Sequence, residues 1–288
     1  IVYCGPHWAQ ANRMAAQAQK ARKRALLALS GREADGQAPP VKPRLTEAHS
    51  SGLDPSPADE TTAFLKSWVW KREHRPDRDR FQKPYIHEVL VPGSLTAKVT
   101  IRQEKFAALG FASTVWDSSI VVSKMLEHRV ERVRDKRCLD LSAGCGLVGI
   151  TAALLGASSV VLTDLAPNLP LLQHNCDNNS VPKGGRLEVI EHTWGEPTQG
   201  LGPPFDVIFA TDVMYVREAV PALLISLRAL CASTGVVILA HGRNRFAEDT
   251  FMTLAAPLFS VRPMEGSHEL HPDYQCTDVT VYWCTPIS

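Results

Sequence analysis

From Tyr85 onward the apolar residues of the chain fall into two alternating rhythms. Short apolar runs bounded by Gly, Pro, Asn and Asp predict strands at Val89–Val91, Ala97–Ile101, Cys138–Leu141, Val160–Thr163, Leu187–His192, Phe205–Thr211, Val236–Ala240 and Val279–Trp283. Between them, apolar residues three and four apart predict helices. The first is Trp116–Val130, where Ile120, Val121, Met125 and Leu126 share a face, and Gly146–Leu155, Leu169–Asn178, Val220–Leu230 and Phe246–Leu258 follow. The first two strands make a small N-terminal β element. The rest alternate strand and helix, the signature of an α/β fold with a mostly parallel sheet covered on both faces. Such sheets bind ligands outside the carboxyl ends of their strands, so the informative residues are expected just after each strand.

The residues before Tyr85 have a different texture. Ala9–Leu29 is rich in Ala, Gln, Lys and Arg, and no acidic residue precedes Glu33. It reads either as a solvated surface helix or as the remnant of an organelle transit peptide. Gly36–Pro57 is proline-rich and reads as a flexible linker. Phe64–Phe81 is charged and carries Trp68 and Trp70, as a packed helix or an outlying arm would. The expected organisation is a disordered, targeting or linker region at 1–63, an arm and small β element at 64–103, and the main domain at 104–288. The sequence opens on Ile1 rather than Met, so the start of the natural chain is expected upstream.

Composition narrows the partners. The chain has 288 residues, 44% of them hydrophobic, enough for one substantial core. Its 31 basic and 30 acidic residues nearly cancel, so neither nucleic acid nor an anionic membrane is expected as a partner. No apolar run approaches the roughly 18 residues of a membrane span. Seven cysteines, an odd number without a C-x-x-C pair, argue against a disulfide framework and against a metal site. A reducing compartment, the cytoplasm, is the expected location, with an organelle as the alternative should the basic N-terminus be a transit remnant.

The chemistry sits at the predicted strand ends. Asp140-Leu141-Ser142-Ala143-Gly144-Cys145-Gly146-Leu147-Val148-Gly149 is a glycine-rich turn between a strand and a helix, where small residues admit a ligand close to the backbone. The spacing Gly144-x-Gly146-x-x-Gly149 also fits a dinucleotide fingerprint. Asp140 favours S-adenosylmethionine over NAD, because a carboxylate suits an ammonium and a sulfonium and repels a pyrophosphate. Asp164 ends the next strand, where a carboxylate accepts from both ribose hydroxyls. Trp194, just past the following strand, is placed either to stack on an adenine or to plug the sheet edge. Cys145 reads as a small filler, since no partner base is evident.

Taken together, Val115-Trp116-Asp117, the glycine-rich turn, Thr163-Asp164-Leu165, Thr193-Trp194-Gly195 and Phe205–Tyr215 resemble the seven-β-strand protein-lysine methyltransferases of the methyltransferase-like family 16 group. The resemblance spans roughly Ile86 to the C-terminus. It implies a Rossmann-like seven-stranded sheet and S-adenosylmethionine as cofactor. It also implies that Trp116 touches the cofactor, that Ser142, Ala143 and Gly144 lie under its amino-acid moiety, and that Thr211 contacts it through backbone. Gly146, Asp164 and Trp194 complete the implied set. Ser142 departs from the family, which usually has Gly there; serine is costly if the backbone needs positive φ at that point, and is expected to be tolerated because Gly144 and Gly146 remain.

Asp212-Val213-Met214-Tyr215 matches the family's acidic-x-x-Tyr signature, associated with placing the target lysine. A free lysine has a pKa near about 10.4, so it arrives protonated and must lose that proton before its lone pair attacks. Asp212 is expected to orient the ammonium rather than act as base, with Tyr215 supplying an aromatic wall and a hydroxyl acceptor. The alternative is that Asp212 caps a helix beginning near Arg217, with Tyr215 packed beneath. Arg243 and Arg245 line a substrate groove or are solvated surface charges, and His271 is expected to be structural. The expected function is lysine methylation on a folded protein by a monomeric enzyme, with chaperones, AAA-type ATPases and elongation factors as the implied substrate types. A silent cofactor-binding interaction module, and a methyltransferase acting on arginine or a small molecule, are the alternatives.

Overall fold

The computed structural model describes residues 81–91, 96–105, 110–181, 185–243 and 245–287, together with Ala63. The linker and transit-peptide readings fall outside the described residues. Strands β1 (Tyr85–Val89) and β2 (Ala97–Ile101) form an antiparallel pair. Helix α1 (Asp117–His128) leads into strand β3 (Arg137–Leu141) and helix α2 (Leu147–Leu154). Strand β4 (Ser159–Asp164), helix α3 (Leu169–Asp177) and strand β5 (Leu187–Glu191) follow. Next come β6 (Phe205–Thr211), α4 (Val220–Leu230), β7 (Cys231–His241) and α5 (Glu248–Ala255). Strands β8 (Phe259–Pro263) and β9 (Thr280–Pro286) close the chain.

The main sheet has seven strands in the order β5-β4-β3-β6-β7-β9-β8. Strands β3 to β7 are parallel, while β9 runs antiparallel to both β7 and β8. Sheet order reverses between β3 and β6, and that switch point opens a crevice at the carboxyl ends of the strands. The apolar runs of β3, β4 and β6 are buried on both faces, as a parallel sheet between helix layers requires. Every residue of α2 is buried, so this helix is a core element rather than a surface one.

Gly149 allows α2 to press on the sheet. A Cβ there would stand 2.6 Å from Leu162 Cδ2 and 2.8 Å from its Cγ, and Leu162 is fully buried. Gly149→Ala is therefore expected to lower stability by about 1–3 kcal/mol through overpacking, read from the midpoint of urea unfolding.

Three elements differ from the sequence expectation. The first strand is Tyr85–Val89 rather than Val89–Val91, because its inward positions include the polar, buried His87, which breaks the apolar pattern. Strand β7 begins at Cys231, which pairs with Phe205 ahead of a register irregularity, and Ser233 and Thr234 interrupt the apolar pattern before Val236. Strand β8 was not predicted. It lies at the sheet edge, and of its five residues only Phe259 is buried, so its sequence carries too little periodicity to register.

The N-terminal pair docks on α3 through two asparagines. Asn175 Oδ1 accepts from Arg102 N at 2.8 Å and its Nδ2 donates to Arg102 O at 3.1 Å. Asn179 makes the same reciprocal pair with Thr100, at 2.9 and 3.0 Å. Gln103 Oε1 then accepts from Val115 N at 2.9 Å, which fixes the entry to α1 and brings Phe111 and Ala112 to the crevice.

Candidate active site

At the switch point lies a solvent-open cleft. The turn after β3 supplies Ser142, Ala143 and Gly144, the end of β4 supplies Asp164, and the end of β6 supplies Thr211 and Asp212. Trp116 and Ser119 enter from the start of α1, and Tyr215 from the loop after β6. The structure thus brings eight of the sequence-predicted residues into one cavity: Trp116, Ser142, Ala143, Gly144, Asp164, Thr211, Asp212 and Tyr215.

Asp164 is 5% exposed and organises one end of the cleft. Its Oδ2 accepts from Gly144 N at 2.9 Å, and its Oδ1 accepts from Leu165 N at 2.8 Å and Asn168 Nδ2 at 2.6 Å. These donors hold the carboxylate in one orientation and pin the glycine turn. A carboxylate offers about four acceptor positions, so capacity remains for a ligand hydroxyl.

Two non-glycine residues on the cleft have positive φ: Ser142 at 62° and Asp212 at 53°. Such backbone costs on the order of 1–3 kcal/mol per residue and clusters at working sites. At Ser142 the cost is offset, because its Oγ accepts from Trp194 Nε1 at 2.9 Å. That bond exists only because this chain has serine at the turn.

Three predicted cofactor residues stand behind the wall rather than on it. Asp140 is 1% exposed, and the alternation of β3 turns it under α2, where its Oδ2 accepts from Gly149 N at 2.8 Å. Burial pushes its carboxyl up to about 7; the Gly149 N–H pulls it down and the Asp164 charge pushes it further up. Gly146 caps α2 in left-handed geometry at φ 85°. Trp194 packs in the core with Leu139 and Leu141 and bonds to the cleft residue Ser142.

The raised Asp140 carboxyl has a stability consequence. A group whose folded pKa lies above its unfolded value contributes stability that is full below the unfolded value, near 4, and lost as pH rises through the folded value, about 7. Asp140→Asn removes this dependence. In urea titrations of the ligand-free protein, the stability difference should move in favour of the variant between about pH 4 and pH 7. A difference that stays constant across that range contradicts the assignment.

At the other end of the cleft, Asp212 Oδ1 accepts from Gly242 N at 2.9 Å and its Oδ2 accepts from Ser118 Oγ. Burial pushes its carboxyl up to about 6; the two hydrogen bonds oppose that rise and the Asp117 charge adds to it. Asp212 does not cap the short helix at Arg217–Ala219, whose N-cap residue is Val216. Tyr215 packs on Phe111 at a ring separation of 5.2 Å, and Trp116 packs on Phe111 at 6.0 Å. Trp116 Nε1 also donates to Phe111 O at 2.8 Å, so the three rings form one aromatic wall.

Sequence reasoning missed Phe111, Ser118, Asn168 and Gly242. Asn168 was findable, because it lies four residues beyond Asp164 in a turn. Phe111 gave no signal, since it sits in a short 3₁₀ segment without periodicity. Arg243 pairs with Asp278 at the surface, while His271 packs edge-on against Tyr274 at 5.0 Å and does not line the cleft. Cys145 lies at the cleft, and its thiol donates to Ala112 O at 3.3 Å.

This sheet order, with an acidic residue holding the glycine turn and a second carboxylate lining the cleft, belongs to an S-adenosylmethionine-dependent methyltransferase, the class its family match and relatives show. Residues 95–257 match the family described as lysine methyltransferase. The chain is 38% identical over 181 residues to protein N-lysine methyltransferase METTL21A of Danio rerio, covering 60% of this chain and 77% of that one. It is 35% identical over 155 residues to EEF1A lysine methyltransferase 3 of Mus musculus, covering 52% and 66% respectively. Among solved structures, a 16S rRNA methyltransferase from T. thermophilus in complex with AdoMet and guanosine is similar at 18% identity and a TM-score of 0.47, over 70% of this chain and 50% of that one. The chain belongs to the lysine methyltransferase family.

Proposed function

We propose that the two carboxylates divide the work of the cleft: Asp164 and the Ser142–Gly144 turn hold S-adenosylmethionine, and Asp212 and Tyr215 receive a lysine side chain from a folded protein. The observation that carries this reading is that one cavity holds both carboxylates, each fixed by hydrogen bonds from the protein. When bound, S-adenosylmethionine supplies an electrophilic methyl group on a sulfonium. Asp164 would accept from a ribose hydroxyl through the acceptor position its three protein donors leave open. Trp116 and Thr211 contact the cofactor along the wall, while Trp194 acts indirectly, stiffening Ser142.

At the lysine end, Asp212 draws in the ammonium and fixes its direction. The aromatic wall of Phe111, Trp116 and Tyr215 strips water from the side chain, which lowers the amine pKa and favours the neutral form. Tyr215 offers its hydroxyl oxygen as acceptor to the remaining N–H. Asp212 opposes deprotonation, so its contribution is alignment, and alignment supplies much of the rate in an in-line transfer.

The substrate is proposed to be a folded protein of the translation elongation factor type, with chaperones and AAA-type ATPases as further types. The first is supported by the name of one relative, EEF1A lysine methyltransferase 3. The enzyme is proposed to act as a monomer in the cytoplasm; the six free cysteines among the described residues suit a reducing compartment. The test is incubation with labelled S-adenosylmethionine and lysate from cells lacking this gene, followed by mass spectrometry of the labelled band. Label on a lysine of such a protein supports the reading. Label confined to arginine or to small molecules, with donor binding intact, overturns it.

A further inference from the structure

We propose that Arg245 is a positioning residue for Asp212, acting through the backbone of Gly242 and anchored by a charged network at the end of β7. The proposal rests on the reading of Asp212 as the group that orients the lysine amine. Asp212 has left-handed backbone, so its side-chain direction depends on what grips it. One of its two grips is the Gly242 N–H, at 2.9 Å. The carbonyl of the same glycine accepts from Arg245 Nε at 3.2 Å. One residue therefore carries the bond to Asp212 at its amide and the bond to Arg245 at its carbonyl.

Arg245 is itself held at two further points. Its Nη2 donates to Asp278 O at 3.1 Å, and its Nη1 lies 3.8 Å from Glu248 Oε2. Glu248 Oε1 in turn accepts from Tyr282 Oη at 2.8 Å and lies 3.1 Å from Nε2 of the fully buried His241. His241 precedes Gly242 and packs on the Tyr282 ring at 5.7 Å. The guanidinium fork thus joins the end of β7, the start of α5 and the loop before β9, and its Nε arm ends on the carbonyl of the residue whose N–H grips Asp212. A lysine offers a point charge and no fork, so it cannot make these bonds together.

The test reads the Asp212 carboxyl directly, by carbon-13 NMR titration of aspartate-labelled protein, with the resonance assigned by its absence in Asp212→Asn. The titratable and charged groups around Asp212 are Asp117 on α1, Asp164 and Tyr215 in the same cleft and, beyond Gly242, His241, Arg245, Glu248 and Asp278. Without the Arg245 bond the Gly242 N–H is expected to lose alignment and stabilise the carboxylate less. In Arg245→Gln the titration midpoint should move to higher pH, and lysine methyl transfer should fall roughly 10- to 100-fold with unchanged donor affinity. Arg245→Lys should show the same raised midpoint.

A midpoint equal to wild type in Arg245→Gln overturns the proposal. So does a wild-type midpoint in Arg245→Lys, which would reduce the effect to charge alone. Should Arg245→Gln fail to fold, Tyr282→Phe takes its place. It removes only the hydroxyl bond to Glu248 and should raise the midpoint by a smaller amount; no movement overturns the proposal. If the wild-type protein transfers no methyl to lysine, the functional reading fails, and the titration still decides whether Arg245 positions Asp212.

Discussion

Asp212→Asn is expected to reduce lysine methylation by roughly 100-fold or more while leaving donor binding within about twofold of wild type. The substitution keeps the shape of the side chain and an oxygen for the Gly242 N–H, so the fold and the far end of the cleft are preserved. What is lost is the negative charge beside the incoming ammonium. The loss should therefore appear in kcat/KM for the protein substrate and not in calorimetric titration with S-adenosylmethionine. A variant retaining more than a tenth of wild-type activity would remove Asp212 from the role assigned to it.

The pH profile offers a second view of the same residue. Burial places the Asp212 carboxyl at about 6, so the charged form dominates above that value and is lost below it. Wild-type kcat/KM should fall about tenfold for each pH unit below the amine pKa and about a hundredfold for each unit below about 6, and Asp212→Asn should lack that second steepening. On the alkaline side the rate should rise as the substrate amine loses its proton.

Asp164→Ala is expected to have the other large effect, on the donor. A hydrogen bond to a charged group contributes about 1.5–3 kcal/mol, so losing the ribose acceptor should weaken S-adenosylmethionine binding by roughly 10- to 150-fold. The substitution also removes the acceptor for Gly144 N, Leu165 N and Asn168 Nδ2. Leaving such donors without their partner costs about 1–3 kcal/mol apiece where they stay buried, so thermal stability should fall too. Calorimetry and a melting curve on one preparation separate the two effects. Wild-type donor affinity in a folded Asp164→Ala protein contradicts the assignment. The two variants should thus part cleanly, one losing the donor and the other losing the amine.

Much of this was legible in the chain. Alternating strand and helix patterns gave the parallel sheet, and position after a strand gave the site, because ligands meet such sheets at the carboxyl ends. Asp164, Ser142 to Gly144, Thr211 and Asp212 all follow from that rule. Asp140 shows where it stops. It lies one residue from the strand end, and the two-residue period of β3 turns it inward beneath α2. Trp194 shows the same limit, since its place after β5 says nothing of which face its ring enters.

What the sequence determined by itself was the order of elements and the residues at their ends, because periodicity and turn chemistry are local and are written into neighbouring positions. What only the tertiary structure decided was which of those residues share the cavity and how each is held. The Ser142–Trp194 bond joins residues 52 positions apart, and the Ser118–Asp212 bond spans 94. No local pattern encodes such distances. They are set by the packing of helices on the sheet, which fixes the direction of each side chain only once the whole core has formed.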